Sequence, residues 1–217
     1  MENTIYRKFR HRDLERFIKL LGSIWGYEAF SDNPKVRRDL VRLDAYASLF
    51  SSTYKEVAVS EVTFSGVLFA RPKGPWRGPL TLIYAVLFSV VFLKLLLRSK
   101  DSRRGLKNLN RELKACESMT KKRERPYKNE VTLFMVDWRQ RGKRMGLTLM
   151  NRYEAYLLKK NQGEFHLFTD DHCSYGFYDH HGFHKEATSQ VEEILKDRKE
   201  TFQVMLYTKR IDGYIHK

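Results

Sequence analysis

The sequence predicts a mixed α/β layer fold. Short runs rich in β-branched and aromatic residues alternate with segments of helical apolar period, which favours sheets and helices packed in layers. The chain has 217 residues, 42% of them apolar, enough to bury the core of one large domain or two small ones. Its 12 Gly and 5 Pro make it neither collagen-like nor low in complexity, and no internal repeat is visible.

The elements follow in order. Residues Thr4 to Phe9 alternate as a strand does. Asp13 can cap a helix whose inward face is Leu14, Phe17, Ile18 and Leu21. An aromatic loop, Trp25 to Phe30, precedes Asn33–Pro34, a cap residue followed by proline at the first helical position. Val36, Leu40, Leu43, Ala47 and Phe50 give that second helix its inward face. Tyr54 to Ser60 and Val62 to Ala70 read as adjacent strands, and Val131 to Val136 as a third of this kind. Gly146 to Lys160 is helical, with Leu149, Met150, Tyr153, Tyr156 and Leu157 inward. Phe165 to Thr169 is a strand, and Tyr175 to His181 a short helix closed by Gly182. Gln190 to Lys199, rich in helix formers, reads as a short helix before a last strand, Phe202 to Thr208.

The net charge is +15, which suggests an anionic partner: a nucleic acid, a membrane surface or a phosphorylated ligand. The excess is local. From Arg71 to Lys128 there are 16 basic and 4 acidic side chains, and the remainder of the chain is nearly balanced. This concentration, without a recognised reader motif, disfavours specific nucleic-acid binding. Two cysteines, Cys116 and Cys173, exclude a disulfide scaffold and a four-cysteine zinc site. The polar N-terminus lacks the apolar region of a secretory signal, so a cytoplasmic location is expected.

The basic segment also holds the longest apolar run, Leu80 to Leu97, about 27 Å long as a helix. On hydropathy it is a candidate for crossing a membrane. Against that, the strand ending at Ala70 and the strand starting near Val131 should be neighbours in one sheet, and one crossing would separate them. A return crossing has no second apolar run, because residues 102–128 are too charged. The preferred reading is a helix lying on the domain, where it would cover a site, form a homodimer contact or rest on an anionic membrane surface through 80–97. Leu106, Leu109, Leu113 and Cys116 then give the stripe of a second, amphipathic helix, which the run Lys121 to Arg125 and Pro126 end.

Residues 136–146, Val-Asp-Trp-Arg-Gln-Arg-Gly-Lys-Arg-Met-Gly, carry chemistry. A strand ends, a basic glycine-containing loop follows and a helix begins. Free N–H groups and the helix dipole make such a junction an anion site. The loop is too short for a Walker P-loop, and its glycines make no dinucleotide fingerprint. The stretch resembles motif A of the GCN5-related N-acetyltransferase (GNAT) superfamily, Arg/Gln-x-x-Gly-x-Gly/Ala opening a helix. Arg141 holds the first position and Gly146 the last, while Arg144 stands where the middle glycine is usual. Downstream, residues 177–183, Phe-Tyr-Asp-His-His-Gly-Phe, resemble the Phe/Leu-Tyr-x-x-x-Gly-Phe signature of motif B. The chain is also similar to a bacterial GNAT group with a hydrophobic insertion between the third and fourth strands.

The resemblance implies one GNAT domain over 1–217, a mostly antiparallel twisted sheet flanked by helices, with 72–128 as a helical insertion. It implies acetyl-CoA as cosubstrate, held in a V-shaped gap between the fourth and fifth strands. Met135 and Val136 would pair with pantetheine. Arg141, Gly142, Lys143, Arg144, Met145 and Gly146 would cradle the pyrophosphate, with Ser174 against the cofactor. An amine acceptor of unknown identity would attack the thioester directly. Tyr178 would protonate the departing thiolate, although a packed core tyrosine would look the same in sequence. Glu130 is the first candidate for general base and Glu28 the second; a strand-end surface residue is the other reading of Glu130. Trp25, Tyr27 and Glu28 would lie near the acceptor, or else pack between the first two helices. His172, Cys173, His180, His181 and His184 have metal-ligand types but fit no standard zinc spacing, so no metal is expected. The competing function is a catalytically idle GNAT-like binding protein that uses its basic insertion on an anionic membrane or nucleic acid.

Overall fold

The computed structural model describes residues 4–25, 27–60, 63–74, 78–121, 126–140, 142–211 and 213. Seven strands form one sheet: β1 (Thr4–Lys8), β2 (Tyr54–Ser60), β3 (Thr63–Arg71), β4 (Glu130–Val136), β5 (Glu164–Asp170), β6 (His184–Ile194) and β7 (Lys199–Arg210). Their spatial order is β1-β2-β3-β4-β5-β7-β6. Every neighbouring pair is antiparallel except β4 and β5. The mixed, mostly antiparallel sheet expected from the sequence is therefore present.

On one face lie α1 (Leu14–Ile24), α2 (Pro34–Ser51), α3 (Pro79–Arg98) and α4 (Lys100–Thr120). Asn33 caps α2, its side chain accepting from the Lys35 amide at 2.9 Å. Phe17, Leu21, Leu43 and Leu49 from these helices are buried with Val57, Val67, Phe69 and Met135 from the sheet. Arg7 and buried Asp13 form a two-pronged ion pair at 2.6 and 2.7 Å, which ties β1 to the start of α1. On the opposite face lie α5 (Met145–Lys159) and the short α6 (Gly176–Asp179), where Leu149, Tyr153 and Leu157 meet Leu68, Phe165 and Tyr207.

The two helices between β3 and β4 are part of this packing. Tyr84 and Leu95 of α3 and Leu106 of α4 belong to the same core as α1 and α2. Further along, α4 covers β6 and β7, with Ala115 and Met119 on Val191, Phe202, Val204 and Leu206. Asn108 clamps Ile194 from both sides, donating to its carbonyl at 2.9 Å and accepting from its amide at 3.1 Å. Arg104 donates to the Phe30 carbonyl at 2.9 Å.

Two readings need correction. Residues 190–199 are not a helix: most of them extend β6 or open β7, and Leu195 donates to the Arg198 carbonyl across the connecting turn. Pairing with β7 and burial of Val191 under α4 outweigh the helix-favouring composition. Leu113 is 59% exposed, so the inward stripe of α4 keeps Leu106, Leu109 and Cys116 and adds Ala115 and Met119 in place of Leu113. Val62 and residues 122–125 lie outside the described residues.

Candidate active site

β4 and β5 are hydrogen-bonded neighbours only at Glu130↔His166 and Val131↔Leu167. The pairing of β4 with β3 shifts between Phe69 and Ala70, where Thr132 is the extra residue. Its hydroxyl meets that of Ser52 at 2.6 Å. Beyond the bulge, Leu133 to Val136 stay paired to β3, and Phe168 to Asp170 stay paired to β7. The strands thus part in a V whose facing edges present backbone groups not used in the sheet. The closed end is pinned by Asn129, which donates to the Glu164 carbonyl at 2.7 Å and accepts from the Lys73 amide at 2.7 Å.

At the open end, the chain leaves β4 through Asp137, buried and ion-paired with Arg139 at 2.8 Å. That pair holds the Asp137 carboxyl below its ordinary value, the hydrogen bond from Arg139 being the main cause. Gly142 has φ +80° and Arg144 φ +54°. Both backbones are left-handed, so Arg144 holds the conformation for which glycine is usual. α5 starts at the next residue, and its first intrahelical bond runs from the Thr148 amide to the Arg144 carbonyl at 2.9 Å. The amides of Met145, Gly146 and Leu147 precede that bond and point out of the helix end. A Cβ on Gly146 would sit 3.1 Å from Phe134 Cζ, so any larger residue there would make that ring give by a few tenths of an ångström. Free amide donors and the helix dipole make such a junction suited to an anion. Met135 is buried inward, and because the Asp137 amide donates to the Ser65 carbonyl, the alternating ladder turns the Met135 backbone to β3 and that of Val136 to the gap. Arg141 lies outside the described residues, and Lys143 is exposed in the loop.

Tyr178, on α6, is 7% exposed and packs among Phe134, Phe177, Phe183 and Tyr207. Burial raises its hydroxyl pKa, nearby Cys173 adds to this, and a hydrogen bond with Thr169 works the other way. The phenol therefore stays protonated at neutral pH and is a donor. Ser174 is exposed, and its carbonyl accepts from the Phe177 amide at 3.1 Å. Cys173 is exposed, with its thiol pushed up to about 12 by burial first and by Asp170 next. His181 contacts the Phe177 carbonyl at 2.6 Å and stacks on that ring, and His172 lies against Phe202.

The structure does not bring Glu130 to the opening. It stands at the pinned end of β4, opposite and ion-paired with Arg71. Nor does it bring Glu28 or Trp25 inward, since both are exposed. Tyr27 differs: it is buried, and its hydroxyl donates to Asp44 on α2.

That bond leads to carboxylates that sequence reasoning missed. Burial raises Asp44 to about 6, opposed by the bond from Tyr27. Glu112, on α4, is raised to about 7 by burial first and then by Asp44, Asp170 and Glu193. Burial also raises Glu193, on β6, with Glu200 and Asp170 adding to it and His172 opposing. Asp44, Glu112 and Glu193 are each half-buried. Three elements, α2, α4 and β6, thus bring carboxylates within electrostatic reach of Asp170 at the open end of β5. Among the described residues no group of carboxylates, His and Cys is close enough to hold a metal ion. The signal in sequence was weak: Arg104, Asn108 and Glu112 recur every four residues or so, which is one helix face.

No family model matches the sequence, and no curated protein matches it. Solved structures do match. The PaiA N-acetyltransferase of Thermoplasma acidophilum, in complex with coenzyme A, is 15% identical with TM-score 0.53, over 96% of this chain and 99% of that one. Ard1 from Thermoplasma volcanium is 13% identical with TM-score 0.52, over 96% and 97%. An acetyltransferase of the GNAT family from Staphylococcus aureus Mu50 is 11% identical with TM-score 0.52, over 97% and 100%. From one end to nearly the other, this chain has the fold of the GNAT acetyltransferases.

Proposed function

We propose that the protein is an acetyl-CoA-dependent N-acetyltransferase that acts on a cationic amine. The observation that carries this reading is the V between β4 and β5, with the amide-rich start of α5 at its mouth and a protonated tyrosine beside it. The similarity to a structure bound to coenzyme A supports the same choice. Acetyl-CoA would supply the acetyl group as a thioester. The loop 141–146 would hold its pyrophosphate, and the free edge of β4 at Val136, next to Met135, its pantetheine. Ser174 would lie along the cofactor. Tyr178 would give its proton to the leaving sulfur.

The carboxylates Asp44, Glu112 and Glu193 would face the acceptor as an acidic wall. Asp44 and Glu193 attract a protonated amine, and Glu112, raised to about 7, is the base that removes its proton, directly or through one water. Glu112 takes this role in place of Glu130. Tyr27 would hold Asp44 in place, while Trp25 and Glu28 would meet the acceptor only at the rim.

The test is steady-state acetylation of a panel of mono- and polyamines, together with calorimetric titration of coenzyme A. The wild type should bind coenzyme A and acetylate amines. Tyr178→Phe should bind coenzyme A equally and lose roughly a hundredfold or more in kcat. A folded wild type that binds no coenzyme A would overturn the reading.

A further inference from the structure

The outer face of α3 has no partner among the described residues. Tyr84, Val91 and Leu95 point inward and are buried. Leu82, Ile83, Val86, Val90, Leu93 and Leu97 point outward, each between 50% and 72% exposed. Single exposed leucines are ordinary, but six apolar side chains on one helix face, with no charge among them, form a patch. The helix is long and apolar enough to cross a membrane by length and composition. It does not stand as a crossing helix, because its other face is occupied by α2 and its flanks return to the paired residues Arg71 and Glu130.

A basic cavity borders this face. About 130 Å³ in volume, it is lined by Lys35, Arg38, Asp39 and Arg42 of α2 and by Lys94 and Arg98 of α3. Five cations thus face one carboxylate, and Lys94 and Arg98 already share Asp39, at 3.0 and 2.6 Å. Arg42 Nε is buried without a hydrogen-bond partner. A buried, unpaired guanidinium N–H beside uncompensated cations calls for an anion. Val90, Lys94 and Leu97 fall on one strip of α3, so the cations edge the apolar patch directly.

We propose that this face of α3 docks on an anionic lipid surface. The outward side chains would enter the acyl boundary, and the cavity between α2 and α3 would take a lipid phosphate. The two features together define a membrane-lying helix whose second face is the protein itself. Charge argues against a second copy as the occupant. A two-fold contact through α3 would bring the basic cavity near its own image, in a chain of net charge +15. This inference does not depend on the acetyl-transfer reading.

The test is co-sedimentation of the whole protein with vesicles of equal parts phosphatidylcholine and phosphatidylglycerol, and with vesicles of phosphatidylcholine alone. Sedimentation velocity without lipid runs alongside. The wild type should pellet with the mixed vesicles, only weakly with the neutral ones, and be released by salt. Val86→Glu with Val90→Glu should cut binding by about tenfold or more while the circular dichroism stays unchanged. Lys35→Ala with Arg42→Ala should weaken binding to mixed vesicles by roughly fivefold per charge and leave the neutral ones unaffected. A folded wild type that ignores both vesicles would overturn the proposal. So would binding indifferent to the Val86 and Val90 changes, or a lipid-free dimer that those changes dissociate.

Discussion

Glu112 is poorly placed for a charge and well placed for a proton. Packed near Asp44, Asp170 and Glu193, it holds its proton up to about 7. A base must lose that proton before it can take one from an amine. The rate should therefore rise with pH through about 7, and Glu112→Gln should remove that limb and lower kcat roughly a hundredfold. Stability moves the opposite way. The folded pKa lies above the ordinary carboxylate value, so the folded state holds this proton more tightly. Stability from this group is full at acid pH and falls as pH rises through about 7. Glu112→Gln should thus melt higher than the wild type at alkaline pH, by about 1–2 kcal/mol, and equally at acid pH. A purely structural Glu112 could show the stability effect, but not the loss of the kinetic limb. Thermal melts and pH–rate profiles on one pair of proteins separate the two.

The start of α5 is where local sequence and geometry disagree. Arg144 has φ +54° and ψ +17° at the helix N-cap, a conformation that costs a side-chain residue about 1 kcal/mol relative to glycine. The strain is offset if the guanidinium adds a contact to phosphate. Arg144→Gly should leave the fold as stable or up to about 1 kcal/mol more so, yet weaken coenzyme A binding in calorimetry. Equal or tighter binding would remove any role for the arginine. This junction was legible in sequence because its signal is local: strand, glycine-bearing loop, helix. The elements around it were legible for the same reason, since Asn33–Pro34 and the period of Leu149, Tyr153 and Leu157 need no distant partner. Two things were not. Residues 190–199 read as helix because the burial of Val191 against α4 is a contact 76 residues distant from Ala115 in sequence. The acidic wall was invisible because Asp44, Glu112, Asp170 and Glu193 come from four elements, and only the finished fold makes them neighbours. Glu130 drew attention by opening a strand, and it stands at the strand's pinned end, paired with Arg71.

At the scale of the whole molecule, the segment between β3 and β4 looks removable in topology and is not removable in energy. Arg71 pairs with Glu130, and the Lys73 amide with the Asn129 side chain, so a short linker could close the chain. The packing says otherwise. Leu106 completes the core beneath α1 and α2, and the Leu40 side chain lies so close to Gly105 that an added Cβ would meet it at 2.9 Å. Ala115 and Met119 shield Val191, Phe202, Val204 and Leu206, which would otherwise form an open apolar face. Losing both covers at once removes far more burial than the marginal stability of a domain can absorb. A variant in which residues 79–121 are replaced by a short Gly/Ser linker should give no cooperative thermal transition by circular dichroism and should aggregate on size exclusion. The same segment also carries Glu112 and the outward face of α3. It therefore finishes the core, presents an apolar, basic-edged surface outward and, in the proposed function, would also wall the acceptor side. A linker variant that melts cooperatively and still binds coenzyme A would separate the first task from the other two.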